Sequence, residues 1–301
     1  MRLTIVAVIL ATLHCSLVRA QDLEPRAYSN SPTGLNFLIA GYGYATGSVL
    51  TDPSLPLENV TNDAHFGILA YARSLNVFGK SARVDVVVPF GSLFAKGLVF
   101  GVPHERFVVG FGDPAFRFSI NFIGAPALTA AEFKNYRQDL ILGASLRVVV
   151  PLGQYDDTKL VNIGTNRFSV KAEIGGSKAF GPWTVEATPA ITVYTDNGDF
   201  FGGHTREQAP IYSIQTGVSF TFKPSCWLAL NAGYFVGARS TVDGVENNDQ
   251  QEGPRFGLTF AYPVNRYNSV KFYGTTGLNA DRHHDFDAVG IAWQYRWGGG
   301  F

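Results

Sequence analysis

The 301-residue chain carries 24 basic and 24 acidic side chains, so its formal net charge is zero, and only 16% of its residues are charged. That balance argues against a nucleic-acid partner. Soluble domains average about 25% charged residues, so something other than water must cover part of this surface.

Residues 1–20 predict a secretory signal peptide. Arg2 supplies the positive start, Leu3 to Leu13 is almost wholly apolar, and Val18-Arg19-Ala20 is a small-residue cleavage pattern. Export then leaves Cys226 as the one remaining cysteine, which excludes an internal disulfide. Residues 21–33 read as an N-terminal periplasmic segment, and 34–301 as the folded body.

No later stretch is apolar for the roughly 18 or more consecutive residues that a helical span requires. The other structure that satisfies its own backbone in lipid is a closed β-barrel. Its strands should run about ten residues and alternate apolar with polar or small side chains. The chain offers twelve such stretches in order: 34–46, 65–77, 81–90, 114–123, 139–150, 167–174, 183–195, 211–222, 227–239, 255–262, 270–279 and the C-terminal strand. The clearest is "PAFRFSINFI", where Phe116, Phe118, Ile120 and Phe122 alternate with Arg117, Ser119 and Asn121. In 65–77 the pattern leaves inside and outside open, because His65, Tyr71 and Arg73 share a face with Leu69 and Leu75.

The connections alternate short and long. "FGK", "GGSKAFGP", "KPSC" and "PVNRYNS" are short turns carrying Gly or Pro. Residues 47–64, 91–113, 151–166, 196–210, 240–254 and 280–285 form the other, mostly longer set. Residues 124–138 break the rule, being long where a short turn belongs, and "TAAEFKNYR" predicts one or two helical turns at the inner rim. The repeated Val-Val-Pro-[Phe/Leu]-Gly at 87–91 and 149–153 reads as a strand stop, since proline is confined to strand ends and edges. Together these features predict an all-β fold, a transmembrane antiparallel up-and-down barrel of about 12 strands.

The last strand sets Trp293, Tyr295 and Trp297 on one face, and the chain ends at Phe301. This pattern resembles the signal read by the outer-membrane barrel assembly machinery, and it implies the outer membrane of a Gram-negative bacterium.

Several stretches are similar to the outer-membrane family named for transport in the meta-pathway of phenol degradation. They are "PTGLNFLIAGYGYATG", "NVFGKSARVDVVVPF", "GFGDPAFRFSINFIGAPAL", "VVVPLGQYDDTKLVNIGTNRFSVKAEIG" and the closing "YRW". "PLGQYDDTKLVNIGTNR" is the most specific. The resemblance implies an outer-membrane barrel with a role in uptake of hydrophobic or aromatic compounds.

Inward parity selects Arg83, Asp85, Arg117, Asn121, Arg147, Arg167, Lys171, Glu173, Glu186, Arg255 and Lys271 as candidate lumen residues. Twelve strands lie between the filled barrels of about eight and the open porins of about sixteen, so a narrow or partly plugged pore is expected. Phe94, Phe100 and Phe107, in a long outer loop expected to fold inward, are candidate entry residues. No catalytic, cofactor or metal site is expected. His283 and His284 with Asp281 and Asp285 read as a solvated loop tip, and Asp243, Glu246 and Asp249 lack calcium-loop spacing. The leading functional expectation is passive uptake of a small hydrophobic or aromatic solute by a barrel set in outer-membrane lipid. A structural or adhesive barrel with ligand-binding outer loops is the alternative. A membrane-embedded lipase is disfavoured because no mid-strand histidine has a serine partner.

Overall fold

A computed structural model describes residues 23–47, 57–99, 101–277 and 286–300. In chain order the strands are β1 (Leu35–Gly47), β2 (Leu57–Val77), β3 (Lys80–Val99), β4 (Val102–Phe111), β5 (Ala115–Ile123), β6 (Leu140–Val149), β7 (Ser169–Phe180), β8 (Trp183–Tyr194), β9 (Asn197–Phe200), β10 (His204–Gln208), β11 (Ile211–Lys223), β12 (Cys226–Gly237), β13 (Ser240–Val242), β14 (Val245–Glu246), β15 (Gln251–Pro263), β16 (Asn268–Gly277) and β17 (Phe286–Gly298). One four-residue helix, α1 (Ala130–Phe133), interrupts them. The signal-peptide residues 1–20, the 281–285 tip with His283 and His284, and Phe301 all lie outside the described residues.

Twelve strands, β1, β2, β3, β5, β6, β7, β8, β11, β12, β15, β16 and β17, form a closed antiparallel ring, because β1 pairs with both β2 and β17 while β2 pairs with β3. Closure gives every wall strand a partner on both sides, so no sheet edge faces lipid. The strand pattern legible in the sequence thus corresponds to an all-β, twelve-stranded barrel.

Alternation sorts the two faces. Across β3, β5, β6 and β7, Val84, Phe118, Leu146 and Ala172 lie directly opposite one another and face outward. One residue along, Asp85, Arg117, Arg147 and Lys171 form the matching inward row. The ambiguity in β2 resolves cleanly. Ala70, Ala72 and Ser74 are buried inward, while Leu69 and Tyr71 are exposed.

Three departures from the sequence reading have local causes. First, β2 and β3 run 21 and 20 residues, and 91–113 is not a loop folded inward but the upper half of β3 hairpinned onto β4. Pro89 does not stop the strand. It sits where the neighbour of β3 changes from β5 (through Val87 opposite Ala115) to β4 (from Phe90 opposite Phe111), so its missing N–H leaves no gap in a ladder. Pro151 does follow a strand end, at Val149. Second, β7 starts at Ser169 rather than Arg167 and continues through "GGSKAF" to Phe180. Third, the loops between β8 and β11 and between β12 and β15 meet in a small four-stranded sheet of β9, β10, β13 and β14. Its strands are two to five residues long, too short for periodicity to announce.

The 124–138 segment does make one helical turn. Thr129 and Glu132 form a reciprocal capping box at its start. Its flank is tied to the barrel through Ser81 N to Ala125 O at 3.0 Å and Thr33 N to Leu128 O at 2.8 Å.

A charge placed at the lipid-facing midplane of a barrel costs about 2–4 kcal/mol. Phe118→Arg is therefore expected to lower the unfolding free energy in lipid vesicles by that amount, and Phe118→Leu to leave it near wild type. Equal unfolding free energies for Phe118→Arg and wild type, from equilibrium urea titration, would contradict the assigned facing.

Candidate permeation pathway

The lumen is not empty. The segment from Leu23 to Thr33, expected from sequence to lie in the periplasm, runs inside the barrel before entering β1. Its contacts reach most of the wall. Ser74 Oγ donates to Pro32 O at 2.6 Å, and Asn121 Nδ2 donates to Tyr28 O at 3.1 Å. The Arg26 amide donates to both carboxylate oxygens of Glu186, at 3.1 and 2.9 Å. Gln215 accepts from the Glu24 amide at 3.0 Å and donates to the Glu24 carbonyl at 3.1 Å. These bonds serve an irregular segment whose backbone groups have no ladder of their own, and such groups are costly to leave unmade away from water.

Glycines on the inner faces make room for it. A Cβ at Gly175 would come within 2.0 Å of the Tyr28 ring, and one at Gly143 within 2.6 Å. A Cβ at Gly233 or Gly257 would lie 3.0 or 2.9 Å from the Leu23 side chain. Glycine within a strand often marks close approach of another backbone. Gly175 and Gly176 made "GGSKAFGP" look like a turn, whereas Gly175 is where Tyr28 lodges.

The charged centre of the lumen is built around Glu24. Arg117 holds its carboxylate with both terminal nitrogens, Nη2 to Oε1 at 2.9 Å and Nη1 to Oε2, and Arg83 Nη2 approaches Oε1 at 3.3 Å. Asp85, 9% exposed at its side chain, pairs with both arginines: Nε of Arg83 at 2.8 Å and Nε of Arg117 at 2.6 Å. The forked geometry of arginine suits a carboxylate, and such charge-assisted bonds are the strong ones. The ammonium of Lys271 and the guanidinium of Arg26 lie 5.8 and 5.5 Å from the ring centre of Trp227. Lys171 and Glu173 pair at 2.6 Å and, with Leu23 and Arg255, border a smaller pocket. Asn231 Nδ2 donates to Glu186 at 3.2 Å.

The structure places ten of the eleven lumen candidates on the barrel interior: Arg83, Asp85, Arg117, Asn121, Arg147, Lys171, Glu173, Glu186, Arg255 and Lys271. Arg167 is not among them. It lies above β7 in the outer-loop layer, bonded to Gln208 Oε1 and 4.7 Å from the Tyr194 ring centre. Sequence reasoning missed Glu24, Arg26 and Tyr28, because a short polar stretch ahead of the first strand has no periodicity. The unexplained glycines at 143, 175, 233 and 257 were the available signal. The cavity left beside the segment is about 860 Å³, with Phe37, Ile39, Ile68, Trp227 and Tyr273 on its walls facing the charged row.

The outer mouth is covered by residues 151–167. Val161 and Ile163 are buried in one cluster with inward-facing Phe66, Leu93 and Val108. Asp113 anchors both ends of the loop, accepting from Gly153 N at 2.9 Å and from Thr165 N and Oγ1, both at 2.7 Å. The entry candidates do not point into this mouth. Phe94 lies opposite Phe107 on the outward face of the β3–β4 hairpin, where Phe107 is 64% exposed, and Phe100 lies outside the described residues.

In the outer loops, the Thr158 hydroxyl and amide hold the Asp156 carboxyl below its ordinary value, and the Thr205 amide and then His204 do the same for Asp243. Asp243, Glu246 and Asp249 each serve a different partner, namely His204, Arg239 and Ser240. Their carboxylates therefore do not converge. His65 bonds the Tyr42 hydroxyl at 2.7 Å and His204 bonds Asp243 at 2.5 Å, so neither is paired with serine. At the other rim, Trp293, Tyr295 and Trp297 are exposed outward and stack in sequence, with ring centres 6.2 and 5.5 Å apart.

A closed twelve-stranded wall, apolar outside and charged inside, defines a β-barrel of the outer-membrane channel type. Its fold is similar to that of the COG4313 outer membrane channel from Pseudomonas putida F1, with a TM-score of 0.76 at 19% identity over 92% of this chain and 100% of that one. It is also similar to the beta domain of the Bordetella autotransporter BrkA, with a TM-score of 0.51 at 9% identity over 88% of this chain and 100% of that one. No curated protein matches the sequence. The family model described as "Putative MetA-pathway of phenol degradation" matches residues 47–295, and the chain belongs to that family.

If the inner glycines seat the plug, larger side chains there should unseat it. Gly143→Val combined with Gly175→Val is expected to raise single-channel conductance and to open the bond after Arg26 to trypsin. Unchanged conductance and unchanged protection in the folded double mutant would show that the Tyr28 contact does not hold the segment.

Proposed function

We propose that this protein is a passive channel of the Gram-negative outer membrane that admits small hydrophobic or aromatic solutes. The observation that carries the reading is the lumen cavity of about 860 Å³. Ligand pockets run to roughly 300–1,000 Å³, and this cavity has that size, with apolar and aromatic side chains such as Phe37, Ile39, Ile68 and Trp227 sharing its walls with a charged row. A wide water-filled pore of the sixteen-stranded kind needs neither the internal segment nor the covering loop. In this reading residues 1–20 direct export and are removed. The Trp293, Tyr295, Trp297 and Phe301 series serves the barrel assembly machinery, and the outward aromatics sit in the lipid interfaces. No side chain is assigned a chemical step.

The reading is tested by uptake of labelled monoaromatic compounds into Gram-negative cells that do and do not produce the protein, with a sugar of similar mass as the comparison solute. Producing cells are expected to take up the aromatic compounds several-fold faster and the sugar at nearly the same rate. Equal aromatic uptake in both strains, with the barrel shown folded by heat-modifiable gel mobility, would overturn it.

A further inference from the structure

Among the described residues Glu24 is the one acidic side chain that the internal segment contributes to the centre of the lumen, and the site that receives it is built by the wall. Arg83, Arg117 and Asp85 come from β3 and β5, and Lys271 comes from β16. Asp85 holds Arg117 through Nε, a contact that does not involve Glu24, and leaves both terminal nitrogens of the fork for a carboxylate. Within this cluster the three cations Arg83, Arg117 and Lys271 face one wall carboxylate, Asp85, which leaves a local surplus of two positive charges when Glu24 is not counted. Such a surplus, partly desolvated, is costly unless an anion sits there. Beside it lie an indole, Trp227, flanked by two cationic side chains, and a cavity large enough for a small molecule.

We propose that this cluster is a binding site for the carboxylate of a small aromatic acid, and that Glu24 is its built-in stand-in. The ligand's carboxylate takes the fork of Arg117 and the approach of Arg83. Its ring enters the cavity beside Trp227, and Glu24 leaves together with the segment that carries it. The forked fit is one that a carboxylate makes and a hydroxyl does not, so the site separates aromatic acids from aromatic alcohols of the same shape. The inference rests on the channel reading above and refines its substrate class.

Tethering gives Glu24 an effective concentration on the order of millimolar or more, so it competes with a free ligand at similar concentrations. Neutralising it while keeping its volume should relieve that competition. Benzoate binding to the folded mature protein in detergent is measured by titration calorimetry, with benzyl alcohol as the uncharged probe. Glu24→Gln is expected to bind benzoate at least about tenfold more tightly than wild type, and Glu24→Gln with Arg117→Gln to lose that gain. Equal benzoate affinity in wild type and Glu24→Gln, or equal affinity of Glu24→Gln for benzoate and benzyl alcohol, would overturn the proposal. A measurement on the wild type covers the case in which a variant fails to fold. Saturating benzoate should expose the bond after Arg26 to trypsin and benzyl alcohol should not, and undiminished protection with benzoate overturns the proposal. Cells that take up neutral aromatics but show none of these benzoate effects would leave the channel reading standing and remove this one.

Discussion

The structure depends on one constraint: a backbone in hydrocarbon has no water to satisfy its N–H and C=O groups, so its ladders must close on themselves. Pairing of β1 with β17 meets that demand, and the rest follows from closure. A closed antiparallel ring has two faces, and period-two alternation then assigns every side chain to lipid or lumen. Apart from the 124–138 segment, the short turns gather at one end and the longer connections at the other. The same closure creates an interior that must be filled, lined or covered, and this chain does all three with its own residues.

The interior is organised by an unusual division of labour between glycine and charge. The inner glycines remove side chains where Leu23 and Tyr28 press against the wall, and the inward row of Asp85, Arg117, Arg147 and Lys171 supplies the field. Neither device works alone. Without the glycines the segment has no space, and without Glu24 the arginines lose a partner that compensates for their removal from water. The loop at 151–167 uses a different device at the outer mouth, where Asp113 supplies the hydrogen bonds and two buried aliphatic side chains supply the packing.

Much of this was legible in the chain because a barrel strand writes its facing directly into the sequence. "PAFRFSINFI" yielded the strand and the parity that the structure shows, with Arg117 and Asn121 facing inward. The features that were not legible share a physical reason: they depend on contacts between segments distant in sequence. Glu24 and Arg117 are 93 residues apart. The upper half of β3 read as a loop because Pro89 and Gly91 resemble a strand stop when the change of neighbour from β5 to β4 cannot be seen. Arg167 has the right parity to continue β7 inward, but its strand had not yet begun. Phe94 and Phe107 read as loop aromatics and proved to be the outward face of a sheet.

The length of β3 has a mechanical consequence. At about 3.4 Å per residue its 20 residues run for roughly 65 Å, against an apolar band about 25 Å tall, so even when tilted it stands well clear of the hydrocarbon. Its inner part carries Arg83, which pairs with Glu24 of the plug, and Asp85, which braces Arg83, and its outer part carries Leu93, which packs against the covering loop. The inner and outer closures are therefore bolted to the same beam. A substitution that shifts the register of this one strand would displace contacts of both closures at once.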